Sequence, residues 1–301
     1  MITPRRGSAA VRVDRVRGGS RSAVKDRVAV EEPMEIRMDL PGPDGQVATH
    51  QVAVTMRTPG DDFELAVGFL FSEGLLEGRG DVASVTYCTG PETQEYNVVS
   101  VRLRPGASFD PGLLNRNFYT TSSCGVCGKA SLEAVEVRGC PVFPEGSGPT
   151  LDPEILRTLP DRLREKQGVF DRTGGLHAAA LVDPEGKLDV VREDVGRHNA
   201  VDKVVGHELL EGHLPAEDRL LLVSGRASFE ILQKARAAGI PAVAAVGAPS
   251  SLAVDLARQF GMTLVGFLGP SGYNVYAGSE RIAEEGAGAS PEPTGSSGEG
   301  S

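Results

Sequence analysis

The sequence predicts an α/β protein of two parts, a small N-terminal α+β domain followed by a larger α/β domain. Three observations predict this. The 301 residues exceed what one small core needs and suit two compact domains. The first half alternates apolar and polar residues around a single strong helical pattern. The second half changes rhythm to short apolar runs separated by helical segments, the pattern of a parallel sheet covered by helices.

Element by element, residues 1–22 carry Arg5, Arg6, Arg12, Arg15, Arg17 and Arg21 with no apolar segment behind them, and read as a flexible basic arm rather than a secretory signal. Val28 to Leu40 and Gln46 to Met56 predict a hairpin, with Asp44-Gly45 as its turn. Asp61 or Asp62 is placed to cap a helix in which Leu65, Phe69 and Leu70 share a face. Val82 to Cys88 and Asn97 to Leu103 predict two more strands, so the first domain spans 23–109.

The second domain is placed at 110–277. Arg219 to Val223, Pro241 to Val246 and Met262 to Leu268 predict strands, with helices over Ser228 to Ala238 and Ser251 to Phe260 between them. Another strand is predicted from Ala178 to Val182, and a helix through Val201, Val204 and Val205. Residues 278–301, rich in Gly, Ser, Glu and Pro, read as a disordered tail.

Composition narrows the function. The net charge is -10 and the pI is about 5.1, which argue against a whole-protein nucleic-acid binder. No apolar run reaches the roughly 18 residues that a membrane span needs. Four cysteines without an export signal point to the reducing cytoplasm, where Cys-x-x-Cys is catalytic or metal-binding more often than a structural disulfide.

That motif is Ser122-Ser123-Cys124-Gly125-Val126-Cys127-Gly128-Lys129. Two cysteines three positions apart can bring both sulfurs to one point. The glycines give them little steric cover, and Lys129 favours the thiolate. Three uses stay open: half of a zinc site completed by Cys140 or Cys88, a thioredoxin-like redox pair, or a nucleophile that accepts sulfane sulfur as a persulfide. A P-loop is excluded, because Ser123 stands at the required glycine and Ala130 follows Lys129. Zinc deamination lacks its His-x-Glu, since the histidine upstream of the pair, His50, is followed by Gln51-Val52.

Ligands of parallel sheets bind where strands end. That rule selects Ser224-Gly225-Arg226, the loop Gly247 to Ser251, and Gly266 to Gly272. Arg226 combines a guanidinium, neighbouring hydroxyls and a helix start, as phosphate binding requires. His177 reads either as a buried histidine or as part of the site. Arg192 to Lys203 holds more polar side chains than a helix cap needs, with Arg197 and His198 the functional candidates.

These blocks, together with Thr58-Pro59-Gly60-Asp61-Asp62, Gly68 to Gly74 and Asn274-Val275-Tyr276, occur in an order that resembles the FdhD family of formate dehydrogenase accessory sulfurtransferases. The resemblance implies a second domain similar to the three-layer cytidine deaminase fold. It implies that sulfur passes from a cysteine desulfurase to Cys124 as a persulfide, with Cys127 as neighbour and relay. The sulfur then goes to the molybdenum of bis(molybdopterin guanine dinucleotide), bound as substrate with no permanent metal, for formate dehydrogenase. Phe267, Leu268, Gly269, Pro270, Ser271, Gly272, Ser224, Gly225, Arg226, Arg197, His198 and His177 are then the residues expected to hold the cofactor. Gly266 to Tyr273 contains no basic residue, so contacts there would rest on backbone amides or Tyr273. A homodimer is also implied, while charge, apolar run length and cysteine usage give the expectation of a cytoplasmic protein with neither nucleic acid nor membrane as partner. The alternative is a chaperone that binds the cofactor and transfers nothing.

Overall fold

Two sheets and a two-stranded ribbon carry the fold of the computed structural model, which describes residues 7–42, 44, 46–88, 97–107 and 142–284. The ribbon pairs β1 (Ser8–Arg17) with β2 (Ser20–Ala29) in antiparallel register. Over residues 8–22 this corrects the flexible arm expected for 1–22; residues 1–6 lie outside the described residues. Gly18 and Gly19, both at positive φ, make a two-residue turn between alternating strands, and Val13 stands opposite Val24. The density of arginines hid this alternation.

A four-stranded sheet follows, built from β3 (Glu32–Pro41), β4 (Val47–Arg57), β5 (Val82–Tyr87) and β6 (Val98–Leu103) in the order β4-β3-β6-β5. Every second residue of β3, Met34, Ile36 and Met38, is fully buried. They meet Val99 and Val101 of β6 and Leu65, Val67 and Leu70 of α1 (Asp62–Ser72), which covers the sheet.

The larger sheet has the order β12-β11-β10-β9-β7-β8. Its centre, β9 (Leu220–Val223), β10 (Ala242–Ala245) and β11 (Thr263–Gly269), is parallel. β7 (His177–Val182), β8 (Leu188–Asp194) and β12 (Gly272–Ala277) run antiparallel to their neighbours. Both faces are dry, which explains why the central strands read as unbroken apolar runs. Leu221, Val223, Val243 and Leu264 face α4 (Arg197–Glu211), α5 (Phe229–Ala237) and α6 (Ser251–Gln259). Leu220, Leu222, Ala244 and Val265 face α2 (Pro153–Lys166) through Leu156, Leu159 and Leu163. A short helix, α3 (Gly168–Thr173), leads into β7.

The mixed α/β architecture is thus as expected, with two differences. β11 runs one residue past the expected Leu268 to Gly269, turns through Pro270 and Ser271, and returns as β12, a strand that the sequence reading did not include. Residues 278–284 belong to the packed body rather than a disordered tail. Arg281 is 3% exposed and donates to the carbonyl of Ser147, and Ile282 bridges to Leu151.

Candidate functional site

The strand-end residues selected from sequence gather at one edge of the larger sheet. Because β7 runs antiparallel to β9, its first residue, His177, sits beside the end of β9. Ser224 fixes that junction: its backbone N–H donates to the carbonyl of Ala178, and its hydroxyl accepts from the Ala178 N–H, each at 2.9 Å. The His177 ring lies against Gly225, where a Cβ would stand 3.3 Å from Nδ1, so glycine leaves room for the imidazole.

Hydrogen bonds continue past the strands and stitch their loops together. Gly247 N–H donates to the Gly225 carbonyl at 2.9 Å, and Phe267 N–H donates to the Gly247 carbonyl at 3.1 Å. Ser250 N–H donates to the Ala227 carbonyl, and Ser250 Oγ caps α6 by accepting from Ala253 N–H. Phe267 occupies the left-handed region at φ 53°, inside a register shift between β11 and β12, and its side chain is 54% exposed. A non-glycine residue there is strained. The ring is thereby set toward solvent beside the loops. Its neighbour Leu268 points the other way into the core with Val265, so its side chain is unavailable to a ligand. Pro270 and Ser271 are exposed at the turn, and Gly269 pairs with Gly272 across it.

The segment Arg192 to Lys203 divides its polar groups between two jobs. Asp194 is fully buried at the end of β8 and accepts from Thr58 N–H (3.1 Å), Gly196 N–H (2.8 Å) and Asn199 Nδ2 (2.9 Å). Lys203 Nζ is 2.8 Å from it and also donates to the carbonyls of Thr58 and Glu193. Asn199 reaches the carbonyl of Met56. These residues bolt the smaller sheet to α4, a structural role that sequence did not assign.

Arg197 and His198, in the first turn of α4, do the other job. No side chain caps that helix start. Arg197 Nε is buried and has no hydrogen-bond partner among the described residues. His198 Nε2 lies 3.0 Å from Ser228 Oγ and 3.6 Å from Glu230. The histidine bond holds the Glu230 carboxyl down at about 2. Glu230 had no signature in sequence beyond its place in the first turn of α5.

The field at this edge is positive. Burial lowers the pKa of His177, and the charges of Arg197, His198 and Arg226 lower it further. His177 is therefore neutral at pH 7, among cations. Arg226 is exposed just past β9. Two guanidiniums, one with a buried unpartnered N–H, and an uncapped helix start lie at these strand ends, and donors of this kind suit an anion with several oxygens. Among the described residues, no group of three or more His, Cys, Asp or Glu side chains is placed to hold a metal ion. Nor is any helix among them long and apolar enough to cross a membrane. Cys124, Cys127 and Lys129 lie outside the described residues, and so does Cys140. Cys88 is exposed at the end of β5.

Fold and site together define an α/β protein whose strand ends gather guanidiniums, hydroxyls and free backbone donors. The chain belongs to the FdhD/NarQ family, whose sequence model matches residues 29–283. It is 54% identical over 275 residues to the sulfur carrier protein FdhD of Streptomyces avermitilis, covering 90% of this chain and 94% of that one. Against the sulfur carrier protein FdhD of Mycobacterium tuberculosis it is 51% identical over 265 residues, covering 85% and 92%. A solved structure from Desulfotalea psychrophila, described as a proposed formate dehydrogenase accessory protein, superposes with a TM-score of 0.69 at 25% identity. That match covers 92% of this chain and 99% of the other.

Proposed function

We propose that this protein carries sulfur for a formate dehydrogenase. Cys124 takes sulfane sulfur from a cysteine desulfurase, and the strand-end receptor holds the molybdenum cofactor that receives it. The observation that supports this most is the identity of half or more of the residues, along nearly the whole chain, to proteins named sulfur carriers.

The chemistry suits the residues. The Cys124 thiolate attacks the outer sulfur of the donor's persulfide. The donor S–S bond breaks, the donor leaves as a thiolate, and Cys124 holds the sulfur with no net redox change. Delivery as sulfide needs two electrons. The Cys127 thiolate supplies them by attacking the inner sulfur: HS⁻ leaves and a Cys124–Cys127 disulfide remains, which a cellular dithiol must reduce. In the receptor, Arg197, Arg226 and the start of α4 contact the phosphates of bis(molybdopterin guanine dinucleotide). Gly225 and Gly247 let its chain approach the backbone, and Phe267 offers a face on which a guanine can stack. Ser224 and His198 position these groups, and His177, being neutral, accepts a hydrogen bond without adding charge.

The test is complementation of a strain lacking its own copy. Cys124→Ala is expected to abolish formate dehydrogenase activity, and Arg226→Ala to reduce it. A chaperone that transfers nothing predicts that both cysteine variants stay active while Arg226→Ala fails. That result would replace this reading.

A further inference from the structure

The guanidiniums at the strand ends suit phosphates but tell no base from another, and an exposed ring such as Phe267 stacks on any of them. Guanine is distinguished by its edge. It presents two donors side by side, N1–H and the N2 amino group. Adenine has an acceptor at N1, and hypoxanthine lacks the amino group. Two adjacent donors are matched by the two oxygens of a carboxylate.

Three helices start at this edge. The first turns of α4 and α6 hold no acidic residue, whereas that of α5 holds Glu230. Glu230 lies four residues beyond Arg226. The segment between them is tied to the next loop by the bridge of Ala227 to Pro249 and by Ser250 N–H on the Ala227 carbonyl. A carboxylate repels phosphate, so its place beside Arg226 and His198 calls for a different part of the ligand. Two other carboxylates at this edge are taken. Asp194 is fully buried under Thr58, Gly196, Asn199 and Lys203, and Glu193 accepts from the N–H groups of Val169 and Phe170.

Glu230 differs in being within reach. Its side chain is 45% exposed, and Oε2 lies 3.6 Å from His198 Nε2. The bond to His198, helped by its own backbone N–H and by Ser228, holds the carboxyl down at about 2 against the effect of burial. It is therefore ionised at neutral pH, and its neighbours fix it without covering it.

We propose that Glu230 selects guanine, its carboxylate accepting from N1–H and the N2 amino group while the guanidiniums hold the phosphates. This rests on the reading that the strand ends hold a guanine dinucleotide, and it adds the side chain that reads the base. Adenine would set its N1 lone pair against the carboxylate, and hypoxanthine would leave one oxygen without a donor. Selection comes from lost hydrogen bonds rather than from shape.

Calorimetric titration of the full chain with guanosine, inosine and adenosine diphosphates tests this. The wild type is expected to bind guanosine diphosphate about tenfold tighter than inosine diphosphate, the factor that one hydrogen bond to a charged group supplies, and adenosine diphosphate more weakly still. Glu230→Gln is expected to lose that preference and to gain affinity for xanthosine diphosphate. Xanthine keeps N1–H but carries a carbonyl in place of the amino group, which suits the one acceptor and one donor of an amide. A gain of this kind cannot come from a misfolded variant. Equal wild-type affinities for the three diphosphates would overturn the proposal and leave the phosphate contacts standing. So would a Glu230→Gln variant that weakens or strengthens all of them by one factor, since the carboxylate would then act only through His198 or as a counter-charge. If the wild type binds none of them, the strand-end reading itself fails, and the proposal falls with it.

Discussion

Gly68 of α1 and Gly206 of α4 cross so closely that a side chain on either is impossible in place. A Cβ on Gly68 would lie 1.9 Å from the Asp202 carbonyl oxygen, and one on Gly206 would lie 1.9 Å from that of Glu64. This crossing joins the helix that covers the smaller sheet to the helix that presents Arg197 and His198. Polar contacts flank it. Glu64 meets Arg192 and His207, and its carboxyl is held below the usual range: burial opposes the shift, but the bonds to Arg192 and His207 outweigh it. On the other side Lys234 Nζ lies 2.8 Å from Asp202, which also accepts from Ser72. Burial works against the charge on Lys234, but Asp202 and Glu73 outweigh it and raise its pKa.

Gly206→Ala is accordingly expected to force the helices apart and cost about 3 kcal/mol or more, above the gain from replacing a helical glycine by alanine. Urea unfolding measures it. The same substitution should weaken binding at the strand ends, because α4 moves with the crossing.

Lys203→Met removes the partner of a fully buried carboxylate, Asp194. An uncompensated buried charge costs about 3–5 kcal/mol. Thermal melts of both proteins check this.

Arg197→Ala is expected to lower affinity for guanosine diphosphate about tenfold while leaving the fold intact, since one charge-assisted hydrogen bond contributes about 1.5–3 kcal/mol. Calorimetric titration reads the affinity directly. Raising salt should weaken the wild type more than the variant.

His177 supplies a pH signature. Its folded pKa is lowered from 6.5 by burial and by nearby cations. The unfolded chain then binds more protons as pH drops below 6.5, so His177 costs stability progressively until the folded pKa is passed. His177→Gln should flatten that part of the stability profile. A bound phosphate anion cancels the cationic field, so guanosine diphosphate is expected to raise the His177 pKa in an NMR titration of the imidazole.

The legible parts of this fold were those in which pattern and burial agree. Leu220 to Val223 and Ala242 to Ala245 are dry on both faces and announce themselves as central strands. The strand-end rule then found Ser224, Gly225 and Arg226 without any motif. Other elements were hidden for physical reasons. Pro160 sits inside α2 and breaks the expected helical run, although Asp152 caps that helix by accepting from Glu154 N–H. The Gly18-Gly19 turn was masked by surrounding charge. Asp194, Asn199 and Lys203 lie in a run with more polar groups than a helix cap needs, but their partners, Thr58 and Met56, are over a hundred positions away and could not be paired by eye.

The central claim is that Cys124 carries the sulfur. Purified protein incubated with an active cysteine desulfurase, pyridoxal phosphate and cysteine is to be measured by intact mass and peptide mapping. A gain of one sulfur atom on the peptide containing Cys124, removed by reductant and retained in Cys127→Ser, is the predicted result. An unchanged mass with both thiols free would contradict it.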